Sequence, residues 1–480
     1  MMMTVSLPNF YCLVPEMAVL LGACLVLMLD VFVKQKEHLL TFWLTEAVVV
    51  VAAILTALQF YDSTIVTFHG NFIRDDFGSI CKLFVYLIMF AAFYFSTNYI
   101  SERKIHQGEY YALGLFSMLG MMILISGHSL ITVYLGLELL SLPQYAMIAM
   151  QRDSDQAPEA AMKYFIMGAI ASGILLYGMS MIYGAANSLQ ITQIGAFSHT
   201  AQGLHFAMLT FGILFLIVGI GFKLGAVPFH NWIPDVYQGS PVSVALIIGT
   251  ATKIAGFGMA IRLLANMLPG VLHEWQLWLI VVSIASMAIG NLLAIVQTSF
   301  KRLLGYSSVA QMGYMLLGLL TGTKAGYSAA TFYVIVYALM ALAAFSLLTM
   351  LSRKGIEFDR IEDLKGLNSR NPWMAFMMLL IMFSMAGIPP LVGFFAKVAV
   401  FEALVKVHLV WVACVAVILA VIGAYYYIHV VKVMYFEEPV DATPLHAEGD
   451  VWVVFTLNSL LLLGLGIFPT ALYALCSGLF

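Results

Sequence analysis

Residues 206–231, FAMLTFGILFLIVGIGFKLGAVPFHN, decide the fold class. Seventeen apolar or small residues precede one lysine, Lys223, and a proline, Pro228, follows five positions later. A run of about 20 apolar residues crosses the hydrocarbon core as a helix. An ammonium inside such a run costs at least about 2.5 kcal/mol and therefore needs a reason to be there. The proline removes a backbone donor, which hydrocarbon tolerates only where protein or water satisfies the freed carbonyl. A broken membrane helix beside a buried charge marks an ion or substrate pathway.

The same signature spreads outward through the chain. Of its 480 residues 62% are hydrophobic and 10% charged, and the formal net charge is −3. Soluble domains carry about 25% charged residues, because their surface must be covered with polar groups. A near-neutral balance also excludes a nucleic-acid binder that relies on phosphate neutralisation. The five cysteines form no CxxC pair, which argues against a zinc site, an iron–sulfur cluster or a disulfide framework. No Lys or Arg precedes the first apolar run, so the basic region of a cleavable signal peptide is missing.

Apolar runs place membrane spans near 10–33, 39–60, 77–99, 109–127, 129–150, 158–184, 206–231, 240–264, 276–298, 306–322, 325–352, 372–405, 408–435 and 451–476. The runs do not alternate as barrel strands do, so the chain reads as an all-α polytopic membrane protein of about 14 transmembrane helices. Lys34, Lys36, Arg103, Lys104, Arg152, Lys163, Lys301, Arg302, Arg353, Lys354, Arg360, Lys365, Arg370 and Lys432 fall in or beside odd-numbered loops. Only Arg74, Arg262, Lys324 and Lys406 fall with the even ones. Basic residues concentrate in cytoplasmic loops, which predicts both termini outside. The longest polar stretches, 352–371 and 436–450, are too short to be soluble domains. No phosphate loop, dinucleotide fingerprint or HExxH appears, so energy must come from a gradient or a partner.

Four charges stand deep in these spans: Glu138 in VYLGLELLSLPQY (133–145), Lys223, Lys253 in LIIGTATKIAGFG (246–258) and Lys397 in GIPPLVGFFAKVAVF (387–401). A desolvated lysine with a nearby carboxylate and water chains makes a proton relay. Pro389 and Pro390 break the twelfth span just before Lys397, as Pro228 breaks the seventh. His230, two residues past Pro228, extends the relay, whereas His429 reads equally well as a buried packing histidine. Lys163 forms an i,i+4 pair with Glu159 and fits either a surface salt bridge or a place on the path. Lys82 reads as snorkelling to the interface, and Glu402 with Lys406 as an interfacial pair. Glu16 and Glu46 receive no role.

The two broken spans lie five spans apart, which suggests two inverted five-helix repeats at 106–265 and 266–436. A three-helix segment, 1–105, would precede them, and a loop with the last helix, 437–480, would follow. The second repeat has no clear counterpart of Glu138.

LGLELLSLPQY (135–145), GFKLGAVPFHNWIPDVYQGSPV (221–242), FKRLLGYSSVAQMGYMLLGL (300–319) and MAGIPPLVGFFAKVAVF (385–401) together resemble one family. It is the antiporter-like membrane subunits of proton-pumping NADH–quinone oxidoreductase, respiratory complex I. PDVYQGSPV (234–242) and the lysine of the twelfth span resemble its bacterial subunit N branch, and the likeness covers nearly the whole chain.

The resemblance implies that Glu138 sets the charge of Lys223, the pumping lysine, that Lys253 links the halves, and that Lys397 lies near the exit of the second. It matches His230 to the family's histidine beyond the break. It implies no cofactor in this chain, with FMN and iron–sulfur clusters in partner subunits. The implied neighbours are subunits M and K and a lateral helix of subunit L, in a bacterial inner membrane. A multi-subunit Na+/H+ antiporter would share the lysines but not PDVYQGSPV, and a solitary solute transporter would need a solute-selective cluster that the sequence does not offer.

Overall fold

The computed structural model describes residues 8–32, 39–60, 63–103, 105, 107–151, 153–352, 358–439 and 449–480. A 3-10 turn at Phe10–Leu13 leads into α1 (Val14–Phe32), and α2 (Leu39–Leu58) returns. A hairpin of β1 (Ile65–Thr67) and β2 (Phe72–Arg74) follows, with Ile65 opposite Arg74. Then come α3 (Asp76–Glu102), α4 (Gln107–Ser126), α5 (Leu130–Ile148), α6 (Gln156–Ala186) and the short α7 (Ile191–Ser198). The first broken span is α8 (Gly203–Leu224) and α9 (Trp232–Gly239). The next is α10 (Val242–Gly249) and α11 (Ala251–Ala260), closed by a π turn at Ile261–Asn266. The second half has α12 (Leu272–Ile295), α13 (Phe300–Leu319), α14 (Lys324–Leu351) and the one-turn α15 (Leu367–Arg370). It ends with the divided pair α16 (Pro372–Ala386) and α17 (Val392–Lys406), then α18 (Val410–Phe436), α19 (Gly449–Ile467) and α20 (Pro469–Ser477).

Helices stand at every expected span, and twelve among the described residues are long and apolar enough to cross a membrane. The other two positions differ for physical reasons. Helix α13 is long enough but more polar, carrying Lys301, Arg302, Ser307, Ser308 and Gln311, and the span at 372–405 is cut into two shorter helices. The seventh span also stops earlier than its apolar run, at Leu224. One short hairpin departs from the all-α expectation; its three-residue strands are too short to show alternation in sequence.

The α10–α11 pair is buried along its whole length, and α14 is buried from Ser328 onward. Both are apolar all round, the pattern of a helix enclosed by others. Helix α14 touches α3, α10, α11, α13, α16, α17, α19 and α20, so it is the post around which both halves assemble. Helices α1, α2, α6, α8, α18 and α19 instead keep apolar residues outward, as lipid-facing helices must.

Several charges assigned from sequence to loops or interfaces are internal. Lys82 does not snorkel: it is 4% exposed and forms an ion pair with Glu16, tying α3 to α1. Arg262 is a clamp rather than a loop residue. It is 1% exposed, donates through both terminal nitrogens to Asp75 at 2.7 Å each, and donates through Nε to the Ile125 carbonyl at 2.9 Å. Arg74 is buried, with Nη2 on the Ser63 carbonyl, and Lys301 is buried on the carbonyls of Gln238 and Ser240. Glu402 and Lys406 form the expected exposed pair at 2.7 Å. Lys34, Lys36, Lys104, Arg152, Arg353 and Lys354, which carry much of the orientation argument, lie outside the described residues.

Asp75 also caps α3 by accepting from the Gly78 amide. Burial raises its carboxyl, but Arg262 outweighs that and holds it below the usual carboxylate range. A lowered carboxyl stabilises the fold at neutral pH, and the gain disappears as pH falls through the lowered value. Asp75→Asn leaves Arg262 buried without a counter-charge, at a cost of about 3–5 kcal/mol. Thermal unfolding of the detergent-solubilised assembly should show a clear loss at pH 7 that narrows towards acid pH. A loss of the same size at every pH would rule out this role.

Candidate functional site

The last turn of α8 ends at Gly225, whose φ of +76° is left-handed. Its position just past the helix end suits glycine, which lacks a Cβ to clash there. The Ala226 amide donates back to the Gly221 carbonyl at 2.7 Å, closing the helix end. Beyond it, Ser286 of α12 accepts from the Val227 amide, and the Trp232 indole donates to the Phe222 carbonyl. The second break repeats the construction. Gly387 has φ +85°, the Ile388 amide donates to the Phe383 carbonyl at 2.9 Å, and a proline stands three residues past each glycine.

Each break presents a carbonyl to a lysine. Lys253, 0% exposed, donates to the Leu224 carbonyl at 2.9 Å. Lys397, 8% exposed, donates to the Ala386 carbonyl at 2.8 Å and to that of Met385 at 3.3 Å. Leu224 and Ala386 are in each case the residue before the left-handed glycine, so the two carbonyls are equivalent. The last carbonyls of a helix lack intrahelical partners and carry the negative end of its dipole, which suits an ammonium. Each ammonium also lies over an aromatic ring: Lys253 5.5 Å from the centre of Trp232, and Lys397 5.1 Å from that of Tyr314.

Lys223 has a different setting. It is 3% exposed, and its ammonium donates at 3.3 Å to both Ser141 Oγ of α5 and the Tyr164 hydroxyl of α6. Tyr164 passes its own hydrogen to Gln144 Oε1, and the Gln144 amide donates to Ser117 Oγ at 3.0 Å. The Tyr164 ring is stacked against Trp232 at 4.5 Å between centres. Glu138 lies one turn from Ser141 on α5, and it and Lys223 make no ion pair within 4 Å. Its Oε1 is buried without a hydrogen-bond partner. The expected Glu138–Lys223 pair is not a direct contact in the structure, and the Lys223 ammonium meets Ser141 and Tyr164 instead.

The remaining expected residues divide. His230 is 8% exposed, with Nδ1 unpartnered and its ring 6.4 Å from Tyr306 of α13. Lys163 pairs with Glu159 at 2.8 Å as expected, and also with Asp235 of α9 at 2.9 Å. Asp235 pairs with Arg302 at 2.8 Å, and these side chains line a polar cavity of about 230 Å³. Lys163 thus stands at this cavity, one residue from Tyr164, which accepts from Lys223. Burial pushes the Asp235 carboxyl up, but Lys163 and Arg302 together hold it below the usual range. His429 is half-buried and stacked on Tyr425, away from these groups. Pro228, Pro389 and Pro390 all lie at the breaks.

Sequence reasoning missed the uncharged members. Ser141, Gln144 and Tyr164 carry no intramembrane charge to draw attention, although Ser141 stands one helical turn from Glu138. It also missed the interruption at Thr250, where α10 gives way to α11 three residues before Lys253. Glu46, assigned no role, is 3% exposed with both carboxyl oxygens unpartnered.

Comparison with known proteins covers the whole chain. The family described as "NADH:quinone oxidoreductase/Mrp antiporter, TM" matches residues 127–423. NADH-quinone oxidoreductase subunit N of Coxiella burnetii is 53% identical over 476 residues, 98% of each chain. Its namesake in Thioalkalivibrio sulfidiphilus is 50% identical over 99% of each chain. Among solved structures, a chain of respiratory complex I from Thermus thermophilus with bound aureothin is 28% identical at TM-score 0.83, covering 96% of this chain and 99% of its own. A chain of the Mrp complex from a Dietzia species, 20% identical at TM-score 0.81 over 98% and 96%, shares the fold.

Gly387→Ala tests how closely the second break constrains its lysine. A Cβ there meets Lys397 Cδ at 3.0 Å and Nζ at 3.1 Å on a left-handed backbone. The substitution costs about 1–2 kcal/mol in conformation alone and displaces the ammonium. Vesicles containing the assembled variant should acidify more slowly than wild type at equal enzyme content. Equal rates would show that the ammonium's place does not matter.

Proposed function

The chain belongs to the subunit N family of NADH-quinone oxidoreductases, and from that premise we propose that it moves protons across the membrane while partner subunits pass electrons from NADH to quinone. The observation that carries the reading is three buried lysines, each at a helix interruption, with twelve strongly apolar helices among the described residues. A buried ammonium with only serine, tyrosine and backbone partners is able to release and regain a proton, whereas one locked to a carboxylate is held charged.

In this reading protons enter at the mouth formed by Lys163, Glu159, Asp235 and Arg302 and reach Lys223 by way of Tyr164. Glu138, one turn along α5 from the Ser141 hydroxyl that accepts from Lys223, sets the charge of that lysine. Lys253 receives the proton at the shared break, and His230, facing Tyr306, extends the route towards the second half. Lys397 delivers it to the other side. Water chains complete the gaps between these groups.

The chain divides, in the same reading, into an N-terminal segment 1–105, two inverted repeats at 106–265 and 266–436, and a C-terminal segment 437–480. The equivalent glycines, prolines and lysine-capped carbonyls of the two breaks support that division. We assign FMN and iron–sulfur clusters to partner subunits, as the resemblance to the family implies. We assign the neighbours to subunits M, K and the lateral helix of L, the membrane to the bacterial inner membrane, and both termini to its outer face. A Na+/H+ antiporter subunit shares the fold, but the full-length relatives at 50% identity and above carry the NADH-quinone oxidoreductase name.

Affinity purification from native membranes should recover NADH–quinone reductase activity, flavin and iron with the chain. Recovery of the intact chain without them would overturn the assignment. Lys223→Ala and Lys397→Ala should each lower proton pumping by at least about tenfold, the equivalent of 1.4 kcal/mol in a barrier. NADH oxidation by an artificial acceptor in the same preparations reports assembly of the electron-transfer arm. Undiminished pumping in either variant would remove that lysine from the path.

A further inference from the structure

The lysine at the second break does not have its carbonyl to itself. Gln311 of α13, 2% exposed, donates from its amide nitrogen to the Met385 carbonyl at 3.1 Å, the same oxygen that Lys397 reaches at 3.3 Å. Its nitrogen donates also to the Tyr427 hydroxyl of α18 at 3.0 Å, and its oxygen accepts from the Tyr333 hydroxyl of α14. Tyr427 in turn bonds Ser307, one turn back on α13, at 2.5 Å. One turn forward, Tyr314 supplies the ring beneath the Lys397 ammonium.

We propose that Gln311 is a positioning residue for Lys397, joining α13, α14, α16 and α18 at one amide and fixing the farther of the two adjacent carbonyls, Met385 and Ala386, that the ammonium uses. The geometry is specific to a carboxamide. The end facing Met385 must donate and the end facing Tyr333 must accept, and one planar group does both. An amide neither gains nor loses a proton here, so Gln311 holds the acceptor still rather than carrying charge. A chain of buried polar groups satisfied in this way specifies one arrangement, and losing its centre leaves several orphaned at once. The first break has no such amide: Ser286 and Trp232 steady it instead. The two lysines therefore occupy equivalent carbonyls on differently built supports.

The proposal rests on Lys397 being on the proton path, and the test separates the two. Three variants are compared in the whole assembly in vesicles: Gln311→Met, close in size but without polar atoms; Gln311→His, whose ring offers one donor and one acceptor at similar reach; and Lys397→Ala. Pumping per enzyme is measured, and artificial-acceptor NADH oxidation reports assembly. Gln311→Met should lower pumping about five- to tenfold, the scale expected when a buried acceptor loses its donor, and Gln311→His should keep at least about half. A packing role alone predicts the reverse order, Met above His, and that order or equal pumping in all Gln311 variants overturns the proposal. If Lys397→Ala pumps normally, the path assignment fails instead. Should the Gln311 variants not assemble, Tyr427→Phe decides, because it removes one hydroxyl at constant shape. It should lower pumping at least about twofold, and unchanged pumping would refute the proposal.

Discussion

A helix that stops inside hydrocarbon leaves its last carbonyls without partners, and no lipid can supply them. This chain contains two such stops, at Leu224 and Ala386, and each meets a lysine ammonium. The relation runs both ways. A lone ammonium at that depth is expensive, and a helix end offers it an aligned row of carbonyl dipoles. Broken helix and buried charge are two halves of one solution, and the rest of the bundle encloses them. Helix α14, buried from Ser328 onward, and the fully buried α10–α11 pair exclude lipid from that centre.

That arrangement differs from a paired charge. Arg262 with Asp75, and Lys82 with Glu16, are ion pairs whose partners hold one another ionised. Both lie in the first half and join helices. None of Lys223, Lys253 and Lys397 has a carboxylate within 4 Å among the described residues. Their acceptors are hydroxyls and carbonyls, which stabilise a charge less and so let it come and go. Charged residues of similar burial thus divide by chemistry into those paired with a carboxylate and those that meet only hydroxyls and carbonyls.

Much of this was legible in the sequence, because a hydropathy run constrains a helix and a lone charge inside one has few explanations. Lys223, Lys253, Lys397 and their prolines announced themselves in that way. Lys82 and Arg262 were misread for the same reason: position within or beside a span says nothing about which distant helix supplies a counter-charge. Glu16 lies 66 residues from Lys82, and Asp75 lies 187 from Arg262. Ser141, Gln144, Tyr164 and Gln311 stayed hidden because neutral polar side chains are tolerated in membrane helices for packing as well as for bonding.

The unequal supports of the two breaks bear on direction. Lys253 bonds a carbonyl of α8 from a different helix, α11, and Trp232 of the restarted helix lies beneath it. Lys397 bonds a carbonyl of α16 from α17, the other half of the same broken span, while α13 fixes the acceptor and the ring. Movement of α9 relative to α8 would disturb Tyr164, Trp232 and so both Lys223 and Lys253 together, since one indole stacks on the first lysine's partner and underlies the second. Lys397 instead takes its acceptors from α16 and its ring from α13. The two breaks thus differ in how their lysines are joined to the bundle: one indole serves two lysines at the first, and the second gives its lysine a separate ring and acceptors.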